Sequence, residues 1–257
     1  MTFYCLPINL VVLIYFWQPM AAFFIALKVH LQTISFCMPV IPVILPNAYL
    51  PPVYWWVFAL HYRSFLIENH ETYPKQTFRN RCYIYSANGI HQLSIPVKRV
   101  NGNHTSIQAV EIDNTQNWRT VHWRSIESSY NNTPYFLFYK DFFKPYYESE
   151  YTFLTDINFG LINTVIKILK TSGIDPGKTT TYIQDKQSPE FRNLLHPKIP
   201  AQELGISTFP RYIQAFETRY GFLENLSIVD LIFNLGPDSL NYLKEVYTIN
   251  FNEQILP

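Results

Sequence analysis

A chain of 257 residues, 48% of them hydrophobic, is long enough for one large domain or for one domain with a helical extension. A net charge of +1 and the lack of a long basic stripe argue against a nucleic-acid partner. The three cysteines, Cys5, Cys37 and Cys82, form neither a disulfide framework nor a zinc pattern, which fits a reducing compartment.

Charge is spread unevenly. Residues 1–62 contain one charged side chain, Lys28, and within that stretch Asn9 to Leu27 approaches the ~20 apolar residues that span a bilayer. Three readings are open: a signal anchor, a cleaved signal peptide without its positive n-region, or an over-extended start with the protein beginning at Met38. The expected division is an apolar extension over 1–37 and a single domain over 38–257. The expected location is cytoplasmic, with anchoring to the inner membrane as the alternative.

Val43 to Leu45 reads as a short apolar strand, Val53 to Tyr62 as a helix opened by Pro51 and Pro52, and Ser64 to Glu68 as a second strand. Together they predict a β-α-β start. The polar loop that follows concentrates hydrogen-bond donors, with Tyr73, Lys75, Arg79, Asn80 and Arg81 inside nine residues. In an extended segment Arg79 and Arg81 share a side, so their planar forks and Lys75 could hold a diphosphate or a carboxylate. The alternative is a solvated loop whose arginines pair with Glu68, Glu71 or Asp113.

Cys82 to Tyr85 and His91 to Ile95 read as a hairpin around Asn88-Gly89, and Thr105 to Ile112 as a further strand. Trp118 to Tyr130 reads as a helix with Asn117 at its N-cap, and Tyr151 to Lys170 as another, capped by Gly173. His122 sits mid-helix and His70 stands beside the donor loop; both are candidate general bases, against the commoner reading of a packed histidine. Ser172 to Thr179 comes close to a phosphate-binding P-loop but lacks its first glycine, the strand before it and the helix after it. A strand over Thr180 to Ile183 is expected. Helices follow over Arg211 to Tyr220, Ser227 to Phe233 and Asp238 to Val246, so the chain turns helical from about residue 210. The expected class is α/β, with α+β possible: a central mixed sheet with a hairpin, helices packed on it and a helical C-terminal region.

Five ordered segments carry a resemblance. LPNAYLPPVYWW from Leu45, YPKQTFRNRCYI from Tyr73, LSIPVKR from Leu93, NWRTVHWRSIESSYNNTPYF from Asn117, and YIQAF with NLSIVDLIFNLGP near the end resemble the WbqC-like protein family. Residues 1–37 have no counterpart in it, which favours the over-extended start. The resemblance implies a bacterial protein of surface-polysaccharide (O-antigen-type, lipopolysaccharide) biosynthesis whose partner is a nucleotide-linked sugar or an amino sugar. It implies an acyl- or aminoacyl-type group transfer, with a non-catalytic sugar-nucleotide-binding or partner-binding module as the alternative. A membrane partner enters only if residues 9–27 are a real anchor. By position it singles out Tyr73, Pro74, Lys75, Asn80 and Arg81 in the loop and Trp118, His122 and Tyr130 on the helix. Where members often have glutamine-proline-tyrosine, this chain has Leu45-Pro46-Asn47-Ala48-Tyr49, so Asn47 or a neighbour is the expected replacement at any ligand contact. The expected substrate-binding set is therefore Asn47, Tyr73, Lys75, Arg79, Asn80, Arg81, Trp118 and Tyr130, with His122 or His70 as base. No metal set is expected and no cofactor is assigned.

Overall fold

The computed structural model describes residues 42–252 except 63, 100, 172–175 and 184–190. The expected extension over 1–37 lies outside the described residues, as do Gly173 and the first half of the P-loop look-alike.

The β-α-β start forms as its sequence predicts. Strand β1 (Val43–Pro46) leads into helix α1 (Val53–His61), which returns to β2 (Phe65–Glu68). The two strands are parallel, with Val43 opposite Phe65 and Pro46 opposite Glu68. Helix α1 has no charged residue, and every side chain from Val53 to Leu60 is buried. A helix apolar all round needs cover on several sides, and β1 and two C-terminal helices described below supply it. Its first turn is capped from far along the chain. The Val53 amide donates to the Leu226 carbonyl (3.0 Å) and the Tyr54 amide to Asn225 Oδ1 (3.0 Å). Those two bonds satisfy amides that have no intrahelical acceptor.

Strands β3 (Arg81–Ser86) and β4 (Gly89–Ser94) make the expected hairpin. Its two loop residues are Ala87 and Asn88, and the positive φ falls on Gly89 (89°), a conformation open to glycine at no steric cost. Strands β5 (Val97–Arg99) and β6 (Val110–Ile112) pair antiparallel. The expected strand from Thr105 is cut short because Ile107–Ala109 winds into a 3-10 turn.

Helix α2 (Trp118–Tyr130) buries Trp118, His122, Ile126, Ser129 and Tyr130, which share one face. Helices α3 (Phe136–Phe143) and α4 (Pro145–Glu148) follow where the sequence offered a stop at Asn131 to Pro134. The run has few polar residues, so no periodic face marks it; only Phe136 and Phe143, two turns apart, are buried in α3. Helix α5 (Leu154–Leu169) ends on Lys170, whose φ of 51° supplies the left-handed cap assigned to Gly173 from sequence.

Strand β7 (Gly177–Lys178) adds to β2 in parallel, giving the order β1-β2-β7. It takes the place of the strand expected over Thr180 to Ile183, where no regular structure forms. The expected helix from Arg211 shrinks to α6 (Glu217–Tyr220), because Tyr212 and Gln214 are drawn into a buried polar cluster. Helices α7 (Ile228–Leu235) and α8 (Ser239–Phe251) close the chain and pack on α1. The class is α/β with a helical C-terminal region, and among the described residues the strands divide among three small sheets. Among the described residues no helix is long and apolar enough to cross a membrane.

Candidate functional site at the carboxyl edge of the parallel sheet

Three parallel strands end on one edge, and the chain leaves each of them through a polar residue. Asn47 follows β1, Asn69 and His70 follow β2, and Thr179 follows β7. Open parallel sheets commonly bind ligands in the crevice outside the carboxyl ends of their strands.

Glu68, the last residue of β2, organises the edge and is fully buried. Its Oε1 accepts from the backbone amides of Asn69 (2.9 Å) and His70 (2.7 Å) and from the Thr179 hydroxyl (2.9 Å). Its Oε2 accepts from Arg192 Nη1 at 2.6 Å. A second buried pair lies alongside, in which Arg79 grips Glu71 through Nε and Nη2, both at 2.6 Å. Arg79 Nη2 also donates to the Arg192 carbonyl (3.1 Å), which ties the two pairs together. Burial pushes the Glu71 carboxyl up, and the Arg79 fork pulls against that rise. Asn158 of α5 donates to Asn47 Oδ1 (2.6 Å) and to the Arg79 carbonyl (2.7 Å). Asn47 Nδ2 and Asn158 Oδ1 remain buried with no hydrogen-bond partner among the described residues.

His70 is half-buried at the same edge. Its Nε2 stands 2.9 Å from the Thr179 carbonyl, which can only accept, so Nε2 carries the proton and Nδ1 is the basic nitrogen. The Gln108 amide approaches both ring nitrogens, at 3.3 and 3.4 Å.

The donor loop runs from this edge to the start of β3. Thr72, Tyr73, Pro74 and Lys75 line an open cavity of about 420 Å³. Lys75 is exposed. The Tyr73 amide donates to the Thr105 carbonyl (2.9 Å), while its hydroxyl bonds to no described residue. Burial pushes that hydroxyl up to about 12, with Arg81, Arg79 and Arg99 close enough to pull it down. Asn80 joins the hairpin to the segment before β5 by exchanging bonds with Ile95, through its carbonyl (2.7 Å) and its Nδ2 (2.9 Å). Arg81 opens β3 opposite Ser94, and its Nε is buried with no partner among the described residues. The two arginines that a flat strand would place together thus differ: Arg79 is engaged by Glu71, whereas Arg81 is balanced by no described carboxylate.

The helix residues go elsewhere. His122 is 3% exposed, and its Nδ1 meets the Tyr49 hydroxyl at 3.0 Å, which in turn meets the Tyr147 hydroxyl at 2.7 Å. Trp118 stands edge-on to the imidazole, 5.2 Å between centroids. Burial lowers His122 to about 4, and a backbone bond to Ser94 offsets only part of this. Tyr130 is fully buried in a third group, where its hydroxyl donates to Asp230 (2.9 Å) and accepts from the Tyr85 amide (3.1 Å). The structure therefore gathers Asn47, His70, Tyr73, Lys75, Arg79, Asn80 and Arg81 around the sheet edge and donor loop. Trp118, His122 and Tyr130 sit in core networks beneath the hairpin.

Sequence reading missed Asn69, Asn158, Thr179 and Arg192 at the edge, because their roles rest on pairings across more than 100 residues. A terminal glutamate on the otherwise apolar strand Phe65–Glu68 was the one local signal. Cys82 is buried, and burial pushes its thiol far up, so it stays protonated. Among the described residues no group of three or more His, Cys, Asp or Glu side chains is arranged to hold a metal ion.

The model of the WbqC-like protein family matches residues 47–195, more than half of the chain. The chain belongs to this family. Its matched segment opens on Asn47 at the sheet edge and runs through the donor loop to Arg192. The chain is also similar to "Uncharacterized protein Rv1507c" of Mycobacterium tuberculosis (strain ATCC 25618 / H37Rv). The two are 27% identical over 207 residues, covering 70% of this chain and 87% of that protein. No solved structure matches.

Proposed function

We propose that this WbqC-like protein is a group-transfer enzyme of bacterial surface-polysaccharide (O-antigen-type) biosynthesis that acts on a nucleotide-linked or amino sugar. The observation that carries the reading is Arg81, a cation whose buried Nε–H has no partner among the described residues and which lies within electrostatic reach of Tyr73, a residue that lines the open cavity together with Lys75. A buried donor without a partner costs about 1–3 kcal/mol, and an anionic ligand group would relieve that cost. Lys75 at the cavity wall adds charge without a described carboxylate to cancel it.

His70 is the base in this reading. It lies at the carboxyl edge and is partly open to solvent, and with Nε2–H held on Thr179 its Nδ1 is the nitrogen that can accept a proton. Attack of a sugar amine or hydroxyl on an acyl or aminoacyl donor forms the new bond as its proton passes to Nδ1. The leaving group departs with its electron pair, and the Arg81 fork steadies the developing charge. His122 supports the fold here, since its ring is enclosed by Tyr49, Trp118 and Tyr147.

A thermal-shift screen of purified protein against nucleotide sugars tests the binding half. A ligand at 100 times its Kd adds about 2.7 kcal/mol to stability, and Arg81→Ala should abolish the shift. A blank screen removes the sugar-nucleotide reading. His70→Asn tests the chemical half: transfer should fall by about 100-fold or more, as loss of a general base does, while binding stays within about twofold. Full turnover in that variant would remove the base from His70.

A further inference from the structure

The β3–β4 hairpin has two outer edges, and among the described residues only one of them is covered. Ser86 lies opposite Gly89 across the two-residue loop, and at the far end the Ile95 amide donates to the Asn80 carbonyl (2.7 Å). Hydrogen-bonded and non-hydrogen-bonded positions alternate along an antiparallel pair, so Tyr83 and Tyr85 on β3 and Ile90 and Gln92 on β4 turn their backbone groups outward. On β3 those groups are engaged: the Tyr83 carbonyl accepts from the Ser227 amide (2.8 Å) and the Tyr85 amide donates to the Tyr130 hydroxyl (3.1 Å). On β4 the amides and carbonyls of Ile90 and Gln92 bond to no described residue. The side chains of Ile90, His91 and Gln92 are exposed, Ile90 by 59%.

Unpaired strand edges invite further strands, and proteins blunt them with charge, proline, bulges, short length or a covering segment. The other strands use these devices. The Phe191 amide covers β1 by donating to the Ile44 carbonyl (3.1 Å), β6 bridges to Phe153, β5 carries Lys98 and Arg99, and β7 has two residues. Strand β4 is six residues long, Gly89-Ile90-His91-Gln92-Leu93-Ser94, with no Lys, Arg, Asp or Glu, no proline and an unbroken register. We propose that the β4 edge is a docking surface for a second copy of this chain, the two β4 strands pairing antiparallel across a two-fold axis. The alternation makes the edge self-complementary. With His91 opposite its own counterpart, Ile90 faces Gln92 of the second copy, so every outward amide and carbonyl of these two residues gains a partner. Ile90 and its counterpart become diagonal neighbours on one face, within reach of each other. That contact takes an apolar side chain out of water. Charge suits the same occupant, since two β4 strands with neutral histidines bring no charged side chain to each other. A disordered segment of another protein would have to be ordered as it binds, whereas β3 already holds β4 extended in each copy.

Sedimentation equilibrium of the full chain over a range of concentrations, with hydrogen exchange at both ends of that range, tests the edge. The wild-type protein should form a reversible dimer. Its Ile90 and Gln92 amides should exchange freely when dilute and at least tenfold more slowly when concentrated. Gln92→Pro removes an outward N–H that β3 does not use, a placement that an edge strand tolerates, and should weaken the dimer at least tenfold while the melting temperature stays close to that of the wild type. His91→Lys changes an exposed side chain and sets two ammonium groups directly against each other, so it should weaken the dimer to a similar extent; if Gln92→Pro fails to fold, this variant decides. A wild type that stays monomeric throughout overturns the proposal. So does slow exchange of Ile90 and Gln92 in the dilute monomer, which would mean that another segment of the same chain covers the edge. A dimer indifferent to His91→Lys and Gln92→Pro but lost in Phe138→Ser overturns it as well, and would move the contact to α3, where Phe138 is 71% exposed.

Discussion

Replacing Arg79 by methionine should destabilise the protein by about 3–5 kcal/mol, the usual cost of leaving one member of a buried ion pair alone. Arg79 is 1% exposed and its fork makes two 2.6 Å bonds to Glu71, which is itself buried. The substitution strands the Glu71 carboxylate and also removes a donor from the Arg192 carbonyl. The pair Arg79→Met with Glu71→Met should recover much of that loss, since an apolar pair of similar volume has no charge to desolvate. Urea unfolding of the two single variants and the double variant gives the coupling directly. Independent, additive losses would show that the pair is not the buried unit its geometry describes. The same double variant informs function: if Arg79 acts only by holding the loop, Arg81-dependent ligand binding should weaken less in the stable double variant than in Arg79→Met.

The second large effect is a masked pH dependence. His122 has its pKa depressed to about 4 by burial, so its stabilising contribution is complete above the ordinary value of 6.5 and is lost as pH falls through 4. Asp230 is fully buried with no cation paired to it among the described residues, held by Tyr130, Tyr212 and Gln214, and burial raises it from 3.8 to about 6. Its contribution has the opposite sign: it is complete below 3.8 and is lost as pH rises through 6. Each is worth about 3 kcal/mol, since every tenfold change in an acidity constant corresponds to about 1.4 kcal/mol. Between pH 4 and 6.5 the two oppose each other, with Glu71, also raised, acting on the side of Asp230.

Removing either group should uncover the other. His122→Phe keeps the aromatic packing and leaves the Tyr49 hydroxyl bonded to Tyr147. Its stability should rise as pH drops from about 7 to about 5, the range in which Asp230 takes up its proton. Asp230→Asn costs about 1–3 kcal/mol through imperfect pairing with its three donors, and its stability should fall more steeply than the wild type's over the same range. Unfolding free energies measured at several pH values decide this. Parallel pH slopes in all three proteins would show that neither group titrates in this window.

Much of this was legible in the chain. The uncharged run from Val53 to Leu60 could only be a covered helix, because no face of it suits water. The Asn88-Gly89 pair placed the hairpin, though the positive φ settled on Gly89 alone. Tyr73 to Arg81 stood out as a donor loop because residue type is a local property. Local signals also misled: Gly173 looked like a cap that Lys170 supplies, and the apolar density of Phe136 to Phe143 left no periodic face to read.

The sequence by itself determined the class of the fold, the family and the loop on which the candidate site is built, since these follow from residue type and short-range pattern. Only the tertiary structure decided which members of that loop are available to a ligand. Glu71 closes on Arg79 and nothing described closes on Arg81, although the two arginines are alike in sequence and two residues apart. The same holds for the histidines: His70 reaches the sheet edge because Thr179, 109 residues later, lies next to it, while Tyr49, 73 residues earlier, encloses His122. Charge pairing and burial are set by what arrives from elsewhere in the chain, and no local pattern encodes those arrivals.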